Sequence, residues 1–233
     1  MHYLTTFLLL AALHTTGCFA SPLDSLTSYD SVLVQIDTTR TILSRHYKSA
    51  QKSQKKSLLS DARQTFISAV VDSIVPHWMG TPWDFYGTTE TPGEGKIACG
   101  YFVSTLLQDA GLKVERVKMA QQASEKIVKT LATKQDIKRF RNTEFATFID
   151  SMETWGAGLY VVGLDNHVGF LYHDGEEVWF IHSSYIGPKC VVREEAASSL
   201  ILASSKYRVV GKISANDRLV EKWLRGEKVK TAG

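Results

Sequence analysis

The sequence predicts an α+β domain, and three observations predict it. Apolar residues recur at helical spacing from Val32 to Ala110, short β-rich runs fill residues 158 to 213, and a helix starting at Cys99 lies between the two regions. With 233 residues, 44% hydrophobic and 22% charged, the chain has material for one sizeable core. Its net charge of +3 comes from interspersed signs, with no aromatic and basic stripe, which argues against a nucleic-acid partner.

The first twenty residues differ from the rest. An apolar run from Phe7 to Leu13, too short to span a bilayer, leads to Ala20, so residues 1–20 read as a signal peptide and Ser21 as the first mature residue. Gly17-Cys18 also resembles part of a lipoprotein box, which leaves a lipid anchor at Cys18 as the alternative to plain secretion. No later segment is apolar enough to be transmembrane. The expected location is therefore secreted, periplasmic or cell-envelope.

Residues 21–59 are expected to form an amino-terminal helical extension. Val32, Leu33, Ile36, Ile42 and Leu43 give it one helix, from about Ser31 to Tyr47. Lys48, Lys52, Lys55 and Lys56 follow as a solvated basic run. The main domain, 60–233, opens with a helix capped by Ser60 or Asp61, with Ala62, Phe66, Ala69, Val70, Ile74 and Val75 on one face and Pro76 expected to end it. A loop from Gly80 to Gly95, rich in turn formers and aromatics, suits the wall of a site. In the Cys99 helix the apolar face is Phe102, Val103, Leu106, Leu107 and Ala110, with Gly111 as terminator.

Residues 120–141 read as one or two charged helices and 145–155 as another, a helical insert near 118–155 that could cover the groove. Five strands follow, at 158–164, 167–172, 177–181, 190–193 and 207–213, as an antiparallel meander. A last helix from Asp217 to Arg225 leads into a basic tail.

Cysteine usage sharpens the functional reading. Of three cysteines, only Cys99 and Cys190 would survive cleavage, and in an oxidising compartment they could bridge. Against that, Cys99 begins a helix, where unpaired backbone N–H groups and the helix dipole favour a thiolate. Its base must come from elsewhere. His167 opens one predicted strand and His182 closes the next, so antiparallel pairing can set their rings together, His167 as base and His182 as the group that orients it. His173, in a turn, is expected at the surface. His167, His182, Asp165 and Cys190 also include zinc-ligand types, but no HExxH or paired CxxC spacing supports a metal. Gly93-Glu94-Gly95-Lys96 lacks the spacing of a phosphate loop, and no Gly-x-Ser-x-Gly elbow occurs. No cofactor is expected.

Taken together, Ala98-Cys99-Gly100-Tyr101-Phe102-Val103, then His167-Val168-Gly169-Phe170, then Phe180-Ile181-His182-Ser183-Ser184 resembles the NlpC/P60 family, and Gly80-Thr81-Pro82-Trp83 resembles that family's Gly-Thr-Pro-Tyr. The resemblance covers about Ser60 to Ser184. It implies a papain-like fold with the nucleophile helix on a curled antiparallel sheet, a Cys99-His167-His182 triad, and a secreted endopeptidase acting on peptidoglycan stem peptides. Ala98 replaces the usual Asp, Gly100 the common Ser, and Trp83 a Tyr whose hydroxyl lies near the thiol; Tyr86 is the alternative source of that hydroxyl. Trp83 and Tyr86 are expected to line the substrate groove. Two rival functions stay open: thiol-dependent amidase or acyltransferase activity on a non-wall substrate, and a noncatalytic envelope-binding module.

Overall fold

The structure, a computed structural model, describes residues 28–232. The signal peptide and Cys18 expectations fall outside them. Two helices, α1 (Tyr29–Ser49) and α2 (Lys52–Ser68), lead through a π-helical turn (Ala69–Ile74) into a short α3 (Val75–Trp78). Then come α4 (Cys99–Asp109), β1 (Lys113–Val114), α5 (Arg116–Ala120), α6 (Ser124–Leu131), β2 (Ile137–Arg141) and α7 (Phe145–Trp155). The strands β3 (Gly158–Gly163), β4 (Val168–His173), β5 (Val178–Ser183) and β6 (Val191–Glu195) follow, with α8 (Leu200–Ser204), β7 (Tyr207–Gly211), α9 (Asp217–Arg225) and β8 (Lys228–Val229) last. The α+β class holds. Among the described residues, no helix is long and apolar enough to cross a membrane.

Helix α2 starts eight residues before Ser60. Gln51 opens it, its N–H donating to the Gln54 side chain at 3.1 Å, so the basic run Lys52, Lys55 and Lys56 lies inside a helix. Nor does Pro76 stop the chain. The preceding turn widens to the π register, with Val75 N–H reaching the carbonyl of Val70, and Pro76 then sits at the start of α3, where a missing N–H costs little.

The main sheet has the order β2-β7-β3-β4-β5-β6, all antiparallel. Only β3 to β6 form the expected meander, since β7 returns to pair with β3 on its far side. The stretch read as charged helices contains a strand: in β2, Ile137 and Phe140 are half-buried while Lys138, Arg139 and Arg141 are exposed, a charged edge that masked its own signal. The basic tail is also tied down, because β8 pairs in parallel with β1.

Residues of β3 alternate between two cores. Leu159 and Val161 pack with α1 to α4, α6 and α9, whereas Tyr160 and Val162 pack with Phe148 and Met152 of α7 and with Leu202 of α8. The sheet is therefore covered on both faces. Helix α4 lies across β4 and β5 with its predicted apolar face wholly buried, Phe102 edge-on to Phe170 with ring centres 6.2 Å apart. Gly111, at φ +94°, ends that helix as expected.

Candidate active site

Cys99 is the first residue of α4, a position fixed by the loop before it. Gly80 N–H donates to Val191 O at 2.9 Å and Trp83 N–H to Lys189 O at 2.8 Å, which staples the loop to the start of β6. Its far end is held by Ile97 N–H on Pro82 O and Ala98 N–H on Gly87 O, both 2.9 Å, and by the buried Ser183 hydroxyl donating to Ile97 O at 2.7 Å. A rigid extended segment thus delivers Cys99 to the helix. Cys99 is a free thiol, so the Cys99–Cys190 bridge is not formed.

His167 sits between a turn and β4. Leu164 N–H donates to His167 O at 2.8 Å, and Asp165 anchors that turn by accepting from Ser205 Oγ at 2.9 Å and Lys206 N–H at 2.7 Å. Strand pairing of β4 with β5 brings His182 beside it, and Nε2 of His167 lies 2.9 Å from Nδ1 of His182. Gly169 makes the space: a Cβ there would stand 2.7 Å from the Phe180 ring and 2.8 Å from His182 Cβ. Phe180 in turn stacks on the His182 ring at 3.9 Å.

The far nitrogen of His182 reveals a fourth member that sequence reading missed. Its Nε2 is 3.2 Å from Glu194 Oε1, on β6. A carboxylate can only accept, so His182 carries its proton on Nε2 and leaves Nδ1 to accept from His167 Nε2–H. His167 Nδ1 then holds a lone pair. That atom is buried and has no hydrogen-bond partner among the described residues, while Cys99 and His167 line the same cleft. No fixed spacing links Glu194 to His182, and only the strand register joins them.

Burial governs the charge states. It holds both imidazoles below the ordinary histidine range, His167 further than His182, which Glu194 pulls back up. Burial also pushes the Cys99 thiol up, against the backbone N–H groups of Val168, Gly100 and Cys99 that favour its thiolate. Glu194 is held below the ordinary range: burial raises it, but its bonds with His182 and Ser199 outweigh that. Both shifts favour a neutral thiol and neutral imidazoles.

Cys99 lies between two lobes of a cleft. One, of 580 Å³, includes Trp83, Phe85, Tyr86, Tyr101 and Tyr185; the other, of 260 Å³, includes Gly100, Gln122, Ser124 and Asn166. Trp83 and Tyr86 both lie in the lining of the larger lobe, while Tyr185 packs on His167 with ring centres 5.2 Å apart. Tyr86 is 84% exposed and touches Phe85. The segment 120–124 roofs the thiol, and Gly100 is the reason it fits, because a Cβ there would lie 2.3 Å from Ala120 O. His173, expected at the surface, is buried at the end of β4, its Nδ1 accepting from Gly175 N–H at 3.0 Å. Among the described residues, no group of three or more His, Cys, Asp or Glu side chains is placed to hold a metal ion.

Comparison with family models, with curated proteins and with solved structures gives no match, so the site is read from its own chemistry.

Proposed function

We propose that this protein is a thiol-dependent amide hydrolase of papain-like type, exported, acting on peptides. The observation that carries the reading is the chain from His167 through His182 to Glu194, whose buried His167 Nδ1 has no partner among the described residues and lines the same cleft as the thiol at the start of α4. Cell-wall stem peptides, the substrate implied by the family resemblance, are one class of peptide to test.

In the first step Cys99 Sγ attacks the amide carbonyl carbon while His167 Nδ1 takes the thiol proton. The first N–H groups of α4 have no intrahelical partner and are available to the developing oxyanion. The imidazolium formed on His167 is stabilised through His182 by Glu194. His167 then gives its proton to the amine nitrogen, the C–N bond breaks, and a thioester on Cys99 remains. Water, deprotonated by His167, hydrolyses that thioester and restores the thiol.

The test is mass spectrometry of stem peptides and of a synthetic peptide mixture after incubation with the protein, beside Cys99→Ala. New fragments that require the thiol are expected. Fragments formed equally by Cys99→Ala would sink the mechanism, and an amine adduct in place of the free acid would make the enzyme a transferase.

A further inference from the structure

The two lobes beside Cys99 differ in chemistry. The larger is walled by five rings, and among the described residues no Lys, Arg, Asp or Glu side chain lines it. Gln121, Gln122 and Asn166 add neutral amides to its lining. Two charged groups on the loop before Cys99 and on α5 are engaged elsewhere. Asp84 pairs with Lys96 at 3.2 Å. Arg116 is buried against Glu90 at 3.2 Å and donates to the carbonyls of Thr88 and Thr89. Among the described residues lining the smaller lobe, Asp165 carries a charged side chain, and its Oδ2 accepts from Ser205, Lys206 and Tyr207. A carboxylate entering either lobe would lose water and, among the described residues, find no Lys or Arg side chain in its lining, a desolvation cost left uncompensated there.

Apolar groups meet the opposite situation. Phe85 and Tyr86 stand 72% and 84% exposed, with ring centres 5.1 Å apart and nearly perpendicular. A built turn holds them out: Asp84 Oδ1 accepts from Tyr86 N–H at 2.9 Å and Asp84 O from Gly87 N–H at 3.0 Å. Large rings fixed in water at the mouth of a cleft gain from a ligand that covers them. The same lobe includes Cys99 and His167, so its occupant is the part of the substrate next to the reacting amide.

We propose that the aromatic lobe is a subsite for an apolar side chain, aromatic or branched aliphatic, on the residue adjoining the amide bond, and that the substrates are uncharged peptides at that position rather than carboxylate-rich stem peptides. The proposal rests on the reading of Cys99 as nucleophile. Its test is competitive cleavage of synthetic peptides that differ at one residue, Phe, Leu, Ala, Glu or Lys, placed on either side of a common amide, with stem peptides in parallel.

Phe and Leu peptides are expected to be cut at least about tenfold faster than Ala and Glu peptides. In Phe85→Ala/Tyr86→Ala, whose replaced side chains are exposed, the ratio of Phe to Ala cleavage is expected to fall to below about threefold. Equal rates for all side chains, faster cleavage of Glu or stem peptides, or an unchanged ratio in the double variant would overturn the subsite and leave the hydrolase standing. No thiol-dependent cleavage of any peptide would overturn the hydrolase reading and the subsite with it.

Discussion

Replacing Gly100 by Ala puts one methyl group where the roof of the cleft already sits. The new Cβ would be 2.3 Å from Ala120 O and 3.1 Å from Ala120 C, both backbone atoms that cannot rotate away. Relief to an ordinary contact needs a shift of about 1 Å, by the start of α4 or by the turn that follows α5. Overpacking of that kind costs about 1–3 kcal/mol. For a domain of this size the melting temperature should fall by about 3–10 °C, read by circular dichroism. The same shift displaces the thiol or the roof, and a misplacement of about 1 Å is worth about 10²-fold in kcat/KM. Peptide cleavage should drop accordingly, and Gly100→Ser, which adds the same Cβ, should behave alike. A variant that melted within a degree of wild type and cut at the wild-type rate would refute the close packing of residues 120–124 on the nucleophile helix.

Three further outcomes are expected. Glu194→Leu removes the fixed acceptor that sets both histidine tautomers, so kcat should fall by about 10²-fold with KM little changed, while Glu194→Gln, which keeps an acceptor oxygen, should recover most of it; equal losses in the two variants would exclude the tautomer role. Because burial lowers His167 from its usual 6.5 and raises Cys99 from 9.0, neutral His167 persists below pH 6.5 and the acid limb of kcat/KM should lie there, while alkylation by iodoacetamide should climb only above pH 9; a reactive plateau between about pH 5 and 8 would reveal a resting thiolate–imidazolium pair and contradict this. Asp109, at the end of α4, is raised by burial from 3.8 to about 6, against the lowering bond from Tyr29, so the proton that the folded state prefers stabilises it fully below pH 3.8 and that contribution is lost as pH rises through 6. Asp109→Asn should then be more stable than wild type at pH 8 by up to about 3 kcal/mol, with the gap closing at pH 4 in urea titrations, and a variant destabilised at pH 8 would show the carboxylate to be favourable there.

Much of the site was legible because it rests on local rules. The helix beginning at Cys99 and ending before Gly111 follows from periodicity and a terminating glycine, and the strands bearing His167 and His182 follow from alternation between turn dipeptides. Hairpin adjacency then places two histidines on neighbouring strands. Elements whose apolar signal is diluted were misread: β2 carries three charged residues in five because it is an edge, and α2 gains two polar turns that bury little. Pro76 was misleading because a π turn, invisible in composition, precedes it.

By itself the sequence determined the fold class, the thiol at a helix start and the two histidines, since each depends on residues close in the chain whose spacing fixes their face. Tertiary structure alone decided the rest. Glu194 reaches His182 through the register of β5 with β6, Tyr185 packs on His167 where the loop after β5 turns back, and Ala120 closes over Gly100 because α5 and α6 fold across the helix start. These contacts join residues far apart in the chain, and what selects them is burial against a shared sheet, a property of the whole packed core that no short spacing records.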